Sequence, residues 1–233
     1  MVKAHMIVIK NHRLSERTAS RCINTWKKHT DIPVEIFDAV TPPTVDKEYK
    51  SLGLYWNPVG HHSTIDLPEG ALSSARKDNM SKASCAMSHI KLWNYSAITN
   101  TDIIILEHDA LLLRDLLASD IEMIQKSPYG IVSLGEVMPR KRTAFLFKDN
   151  SIDSNFPELE HTRCLSHGGV GYYVKSWAAK KLMDKLFEIG YMPCNNDTYI
   201  STWFGFDFLA CPSTTQWITH LEVSTSGNWE NGR

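Results

Sequence analysis

A short apolar run that ends in acidic residues constrains this chain more than any other stretch. Residues 103–105 are three isoleucines that follow polar Thr101-Asp102, and they predict a buried strand. Leu106-Glu107-His108-Asp109 comes next. So apolar a strand has no reason to end in two carboxylates and an imidazole unless that end reaches a cleft. Ligands of open α/β sheets bind beyond the carboxyl ends of the strands, so this strand end is a candidate site.

The spacing of the two acids predicts a metal site. Glu107 and Asp109 are two residues apart, and an extended backbone would place both side chains on the same side. Oxygen-rich side chains that converge in this way suit a hard divalent cation, which commonly carries the phosphates of a substrate. A strand end followed by a solvated turn is the alternative that these residues alone leave open.

The residues upstream give this acidic strand end a family context. Cys85-Ala86-Met87-Ser88-His89-Ile90-Lys91-Leu92-Trp93 precedes Ile104-Ile105-Leu106-Glu107-His108-Asp109. The pair resembles glycosyltransferase family 25, in which a GC-x-SH-x-x-x-W helix precedes an ILEDD strand end. The resemblance implies an α/β fold of the GT-A type: a Rossmann-like, mixed but mostly parallel sheet flanked by helices. We expect a single domain over residues 1–233.

The same resemblance implies the chemistry. Glu107 and Asp109 would bind Mn²⁺ or Mg²⁺, and the donor would be a nucleoside-diphosphate sugar, with a UDP-sugar expected. His108 stands where the family has an aspartate, so this site has one negative charge fewer. His108 could then contact the ribose, join the metal ligands or point away from them. A further metal ligand often comes from the C-terminal part of such enzymes, and His220 is the candidate.

The first strand, predicted around residues 6–9, leads into a loop that meets the nucleotide in related folds. Asn11 and Arg17 match family positions, and His12 and Arg13 lie in the same stretch. We predict that these four residues contact the donor. A plain loop is the alternative for Asn11, His12 and Arg13. Ser15 is predicted to cap a helix that runs from Glu16 to about Lys28.

Two further stretches supply candidate donor contacts. Ser88 and His89 belong to the family motif, although a histidine on such a helix is more often a core or capping residue. Gly168 and Gly169 precede a predicted strand, where paired glycines let a backbone approach a ligand closely. Their spacing is not that of a dinucleotide fingerprint.

An inverting transfer needs a carboxylate that takes the proton of the acceptor hydroxyl. Asp197 matches an aspartate of the family and is the first candidate, although it could simply cap a helix. Glu136, just past another predicted strand, is the second. The sequence does not separate the two.

Residues 41–82 hold four prolines and three glycines, which break every periodicity. We predict a lid or acceptor-side flap there, because loops of this length are uncommon unless they are functional or disordered. An inert insertion is the alternative. Polar residues 148–160 are predicted to form a loop, and residues 140–142 form the densest basic patch.

Composition bears on location and partners. The net charge of −1 gives no general attraction to nucleic acid or acidic membranes. The five cysteines lack metal-binding spacing, so reduced thiols are expected. Neither a signal peptide nor a membrane-spanning run of about 20 apolar residues is visible, and a cytoplasmic soluble enzyme is expected.

The acceptor is left open by the sequence. A saccharide is the family norm. The basic clusters and loop aromatics leave a hydroxymethylated base of viral DNA as an alternative acceptor, although the near-zero net charge argues mildly against it. A non-catalytic module that binds sugar nucleotides or glycans is the alternative to an enzyme. The oligomeric state is not predicted.

Overall fold

The structure of the protein is a computed structural model that describes residues 2–57, 80–135, 152–162, 169–203, 208–213 and 216–221. Six helices and twelve strands lie in these ranges. The helices are α1 (Arg13–His29), α2 (Val45–Ser51), α3 (Met80–Thr99), α4 (Ala118–Lys126), α5 (Ser176–Ile189) and α6 (Asn196–Trp203). The strands are β1 (Lys3–Val8), β2 (Val34–Asp38), β3 (Tyr55–Trp56), β4 (Ile103–Glu107), β5 (Ala110–Leu112), β6 (Ile131–Ser133), β7 (Ile152–Asp153), β8 (Phe156–His161), β9 (Gly171–Val174), β10 (Tyr191–Met192), β11 (Leu209–Pro212) and β12 (Ile218–His220).

A single large sheet organises the described residues. Its eight strands run in the order β2-β1-β4-β9-β6-β11-β8-β7. β1 pairs in parallel with β2 and β4, and β11 with β6, whereas β9 is antiparallel to both of its neighbours. β8 and β9 run against the other six strands. The predicted α/β class, with a mixed but mostly parallel sheet, is confirmed.

Helices cover both faces of the sheet, and β4 shows why the sequence requires this. Ile103 and Ile105 belong to one buried cluster, which includes apolar residues of α3 and α5. Ile104 and Leu106 belong to a second cluster, which includes Trp26 of α1. Because alternate side chains of a strand face opposite sides, an unbroken apolar run needs a hydrophobic layer on each face.

The start of α1 differs from the prediction. The helix begins at Arg13, and its N-cap is His12, whose Nδ1 accepts a hydrogen bond from the Ser15 amide at 3.2 Å. Ser15 is buried within the first turn, and its hydroxyl accepts from the Ile9 amide at 3.0 Å. Ser15 therefore ties the end of β1 to the helix rather than capping it.

The lid predicted over residues 41–82 is wrong where the structure describes it. Residues 45–51 form α2, which buries Val45 and Tyr49 in the core. The Tyr49 hydroxyl donates to the carbonyl of Ala83, on α3, at 3.2 Å. β3 follows α2, and α3 begins at Met80. Residues 58–79 lie outside the described residues, with the rest of the predicted flap.

Two strands were also missed. Part of the predicted polar loop at residues 148–160 forms β7 and β8, which extend the sheet beyond β11. The helix α5 begins at Ser176, whose amide donates a hydrogen bond to the Asp102 carboxylate at 2.9 Å. The basic patch at residues 140–142 lies outside the described ranges.

None of the helices in the described ranges combines the length and the apolar composition that crossing a bilayer requires.

Candidate active site

A cavity lies where the carboxyl ends of β1, β2 and β4 meet the first half of α3. Its volume is about 90 Å³, enough for one ring rather than for a whole sugar nucleotide. Most of its wall is apolar or carries hydroxyl groups. The lining residues are Ile7, Ile9, Ala39, Val40, Pro42, Ser81, Ser84, Cys85, Ser88, His89, Glu107 and His108. The cleft predicted beyond the acidic strand end is therefore present.

Glu107 is the acid that reaches this cavity. It is the last residue of β4, and its side chain is 22% exposed. The chain turns at His108 and Asp109 before it enters β5. The expectation that Glu107 and Asp109 share one side of an extended strand is wrong, because side-chain alternation ends where the backbone leaves the strand.

Asp109 is buried behind that turn, with only 4% of its surface exposed. Its Oδ2 lies 3.0 Å from Nδ1 of His220, which the antiparallel pairing of β12 with β5 brings opposite Ala110. Its Oδ1 is buried without a hydrogen-bond donor. A buried carboxylate oxygen without a donor is costly unless a cation or a proton satisfies it. Asp109 and His220, two of the three predicted metal ligands, are thus in contact.

Glu107, the third predicted metal ligand, belongs to a more closely gathered group of potential ligands. Among the described residues, one group of potential ligands has its ligand atoms within 4.8 Å of one another, and it consists of Cys85, His89 and Glu107. The predicted set of Glu107, Asp109 and His220 is not gathered as closely. Burial, followed by the negative charge of Glu107, raises the pKa of the Cys85 thiol well above its ordinary value. A thiol that stays protonated is a poor metal ligand.

His89 is fully buried and is held from the side away from the cavity. Its Nδ1 lies 2.8 Å from the hydroxyl of Tyr172, on β9, which also accepts a hydrogen bond from Nε1 of Trp93 at 2.8 Å. The His89 and Tyr172 rings stack with centroids 5.8 Å apart. On the cavity side, Nε2 of His89 lies 3.7 Å from Oε1 of Glu107. Burial raises the pKa of Tyr172, which keeps this phenol protonated.

Asp197 lies in the first turn of α6 and is half-buried. Its Oδ1 accepts a hydrogen bond from the Thr198 amide at 2.8 Å and another from the side-chain amide of Asn195. Burial raises the pKa of Asp197, and the negative charge of Glu107 raises it further. Such a carboxylate holds a proton more tightly than an exposed one, which is a useful property in a general base.

Two predicted donor contacts line the cavity in other ways. The Ser88 hydroxyl donates to the Ser84 carbonyl and accepts from the Val40 amide, both at 2.9 Å. It therefore fastens the segment after β2 to α3. His108 is buried at the turn, and burial lowers its pKa although Asp109 and Glu107 oppose the shift. An imidazole with a lowered pKa therefore stands at the position where the resemblance to the family implies an aspartate.

The remaining predicted residues lie away from the cavity wall. Asn11, Arg13 and Arg17 are exposed at the start of α1, and His12 is its buried N-cap. None of these four lines the cavity, so their contact with the donor stays a prediction.

The glycine pair and the second candidate base are described only in part. Gly169 has a left-handed φ of 77° and leads into Val170, whose carbonyl accepts from the Glu107 amide at 2.7 Å. Gly169 therefore lets the chain enter the segment whose Val170 carbonyl binds the backbone amide of Glu107. Gly168 and Glu136 lie outside the described residues.

Sequence reasoning missed Tyr172 as a site residue. Cys85, His89 and Trp93 recur every four residues, so one face of α3 could have been recognised as a line that leads from the cavity into the core. Nothing in the sequence pairs that face with Tyr172. The contact arises from the antiparallel register of β9 on β4, in which Tyr172 lies opposite Ile105.

Comparison with known proteins identifies the family of this chain. The family model described as glycosyltransferase family 25 (LPS biosynthesis protein) matches residues 3–200. No curated protein sequence matches the chain. The crystal structure of mouse xyloside xylosyltransferase 1 in its apo form is similar at 10% identity and a TM-score of 0.45, over 89% of this chain and 83% of that one. Residues 1–349 of S. aureus TarS are similar at 11% identity and a TM-score of 0.41, over 93% and 60%. Because the family model covers most of its length, the chain belongs to glycosyltransferase family 25.

Proposed function

We propose that this glycosyltransferase moves a sugar, with inversion, from a nucleoside-diphosphate sugar to an acceptor hydroxyl, and that it needs a divalent cation. The observation that carries the proposal is the cavity at the carboxyl ends of β1, β2 and β4. Of its described lining residues, Glu107 is the one acid, and none is a lysine or an arginine. A diphosphate placed there would meet a negative charge without a cationic side chain to balance it.

Mn²⁺ or Mg²⁺ would supply the missing positive charge. When bound, such an ion neutralises the charge that develops on the leaving diphosphate. The donor atoms fit a hard cation, because Glu107 offers a partly exposed carboxylate and the buried Oδ1 of Asp109 has no hydrogen-bond donor. His220 would act by holding the other oxygen of Asp109, or as a ligand itself.

The apolar wall of the cavity suits one ring of the donor, and we assign it the nucleobase. Ile7, Ile9 and Val40 supply flat apolar contacts, as small-molecule pockets commonly do. The diphosphate would then lie toward Glu107 and His108 at the polar end. A uracil base is the expected occupant, and the sugar and acceptor would lie beyond the cavity.

Asp197 would take the proton of the acceptor hydroxyl as that oxygen attacks the anomeric carbon. The raised pKa of Asp197 supports this role: burial raises it, and the negative charge of Glu107 raises it further. The Thr198 amide and Asn195 hold one carboxylate oxygen, which leaves the other for the acceptor. A saccharide is the proposed acceptor, in keeping with the family's description as lipopolysaccharide biosynthesis proteins.

Release of nucleoside diphosphate from a panel of UDP- and GDP-sugars tests the proposal. We expect turnover with Mn²⁺ or Mg²⁺ and none in EDTA. Asp109→Ala should lower turnover by roughly 100-fold or more, as expected for loss of a metal ligand, and the protein should still unfold cooperatively. The matched control is Asp115→Asn, because Asp115 is an exposed acid that contacts His29 on the surface.

Full activity of Asp109→Ala in EDTA would refute metal dependence. Tight donor binding by the wild-type protein without transfer to any acceptor, and without donor hydrolysis, would instead identify a non-catalytic binding module.

A further inference from the structure

A line of buried hydrogen-bonding groups runs from the core to the metal-binding acid. It begins at Nε1 of Trp93, passes through the Tyr172 hydroxyl and both nitrogens of His89, and ends at Glu107. The first two steps are 2.8 Å each, and the last gap is 3.7 Å. Trp93, Tyr172 and His89 are each fully buried, and of the three only His89 lines the cavity.

The direction of each hydrogen bond follows from the chemistry of its groups. An indole nitrogen can only donate, so the Tyr172 oxygen accepts from Trp93. The phenol hydrogen then needs an acceptor, and Nδ1 of His89, 2.8 Å away, can accept it. A nitrogen that accepts carries no hydrogen in the neutral ring, so the hydrogen of His89 must be on Nε2. That hydrogen faces Oε1 of Glu107.

We propose that His89 is a positioning residue, which donates from Nε2 to Glu107 and fixes the direction of that carboxylate, and that Trp93 and Tyr172 set its tautomer. The proposal rests on the proposed function in that Glu107 is taken to hold the cation. The gap of 3.7 Å is longer than a hydrogen bond, and catalytic contacts often shorten when substrate binds.

This assignment excludes the other use that the geometry offers. The ligand atoms of Cys85, His89 and Glu107 lie within 4.8 Å of one another and could hold a soft cation. A metal on His89 would need a free electron pair on Nε2. The hydrogen would then be on Nδ1, and the phenol hydrogen of Tyr172 would be buried without an acceptor. The hydrogen-bond chain therefore leaves the cation to the carboxylates.

The tautomer of His89 can be measured without an activity assay. Long-range proton–nitrogen NMR spectra of the protein labelled with ¹⁵N-histidine distinguish the two neutral forms, and a His89→Gln sample identifies the signal of His89. We expect hydrogen on Nε2 in the wild-type protein and a mixture of tautomers in Tyr172→Phe. Hydrogen on Nδ1 in the wild-type protein would overturn the proposal.

Cobalt binding tests the soft site separately. A Cys85 thiolate bound to Co²⁺ would give an intense charge-transfer band in the near ultraviolet. We expect Co²⁺ to bind without that band and with the same affinity in Cys85→Ser. A band that disappears in Cys85→Ser would overturn the proposal. Both spectra remain informative if no donor is ever turned over, so failure of the proposed function would be recognised separately.

Kinetics then separate positioning from packing. Glutamine places an amide donor near the position of Nε2, whereas leucine keeps bulk without a donor. We expect His89→Leu and Tyr172→Phe to raise the Mn²⁺ concentration for half-maximal activity by about 10- to 100-fold, as for other residues that orient metal ligands. His89→Gln should recover most of the loss. Equal losses in the leucine and glutamine variants would mean packing alone, and would refute the positioning role.

A second buried tyrosine provides the matched control for these kinetics. Tyr49→Phe also removes a buried hydroxyl that makes one hydrogen bond, but to a backbone carbonyl of α3. Its Mn²⁺ dependence should be that of the wild-type protein. A shift as large as that of Tyr172→Phe would show that any lost core hydroxyl disturbs the metal, and would overturn the proposal.

Discussion

Replacing Gly171 by alanine should disturb the site through the two strands that carry its acids. A Cβ at this position would lie 2.3 Å from Cδ1 of Ile218 and 2.9 Å from Cδ2 of Leu106. Leu106 directly precedes Glu107, and Ile218 lies two residues before His220, the partner of Asp109. One added methyl group would therefore push on both halves of the proposed metal site.

The size of the effect can be worked out from these contacts. Carbon atoms in contact are normally about 3.5–4.0 Å apart, so the closer overlap exceeds about 1 Å. Overpacking of this kind costs roughly 1–3 kcal/mol. Alanine loses less backbone freedom on folding than glycine, which offsets about 0.4–1 kcal/mol of this cost. The gain applies here because the φ of Gly171 is not left-handed, so alanine can adopt the same backbone conformation. The variant should lose about 0.5–2 kcal/mol of unfolding free energy.

Denaturation in urea and the Mn²⁺ dependence of turnover should be measured on the same samples. Ile218→Val removes Cδ1, so Gly171→Ala should cost at least about 0.5 kcal/mol less in that background. The control is Gly130→Ala, whose Cβ would lie 2.6 Å from Cβ of Ala178 and from Trp177, against α5. It should destabilise the fold without changing the Mn²⁺ dependence. The reasoning would be refuted if the stability losses of Gly171→Ala and Ile218→Val simply added in the double variant. It would also be refuted if Gly171→Ala and Gly130→Ala changed the Mn²⁺ dependence of turnover equally.

Two further predictions concern carboxylates that play different roles. Asp197→Asn should abolish transfer, yet the variant should be at least as stable as the wild-type protein at pH 7. The pKa of Asp197 is raised in the folded state, so its negative charge opposes folding above that pKa. This penalty to the free energy of unfolding fades as the pH falls through the folded-state pKa. Urea titrations at pH 7 and at acidic pH check this, and a less stable, fully active variant would contradict it. Asp102→Ala should cost about 1–2 kcal/mol of unfolding free energy, because Asp102 accepts hydrogen bonds from the first amide of α5 and from the Tyr173 hydroxyl. Turnover per folded molecule should be unchanged, because these contacts lie away from the cavity. A loss of activity without a loss of stability would refute that assignment.

Local pattern was enough to predict the framework of the site. The isoleucines of β4 are apolar on both faces, and the sheet is covered on both sides. The helix that carries Ser88 and His89 follows from its own periodicity, although it begins at Met80. Because strands that run the same way end at the same edge, the cleft beyond Glu107 could be placed before its walls were known.

The details of the site depend on contacts between distant parts of the chain. The chain turns at His108 between Glu107 and Asp109, and no glycine or proline there indicates that the strand has ended. Tyr172 reaches His89 through the register of β9 on β4, and His220 reaches Asp109 through the pairing of β12 with β5. The β7–β8 pair was missed because its polar residues lack the apolar alternation that marks a half-buried strand.

The account depends most on where a cation and a sugar nucleotide bind. Crystals of the protein grown with Mn²⁺ and a non-hydrolysable UDP-sugar, measured at a wavelength where manganese scatters anomalously, test this directly. We predict a manganese peak in contact with Glu107 and Asp109, a base in the cavity between β1, β2 and α3, and a diphosphate between them. A manganese peak on Cys85 and His89, or a nucleotide bound away from this strand end, would contradict the account.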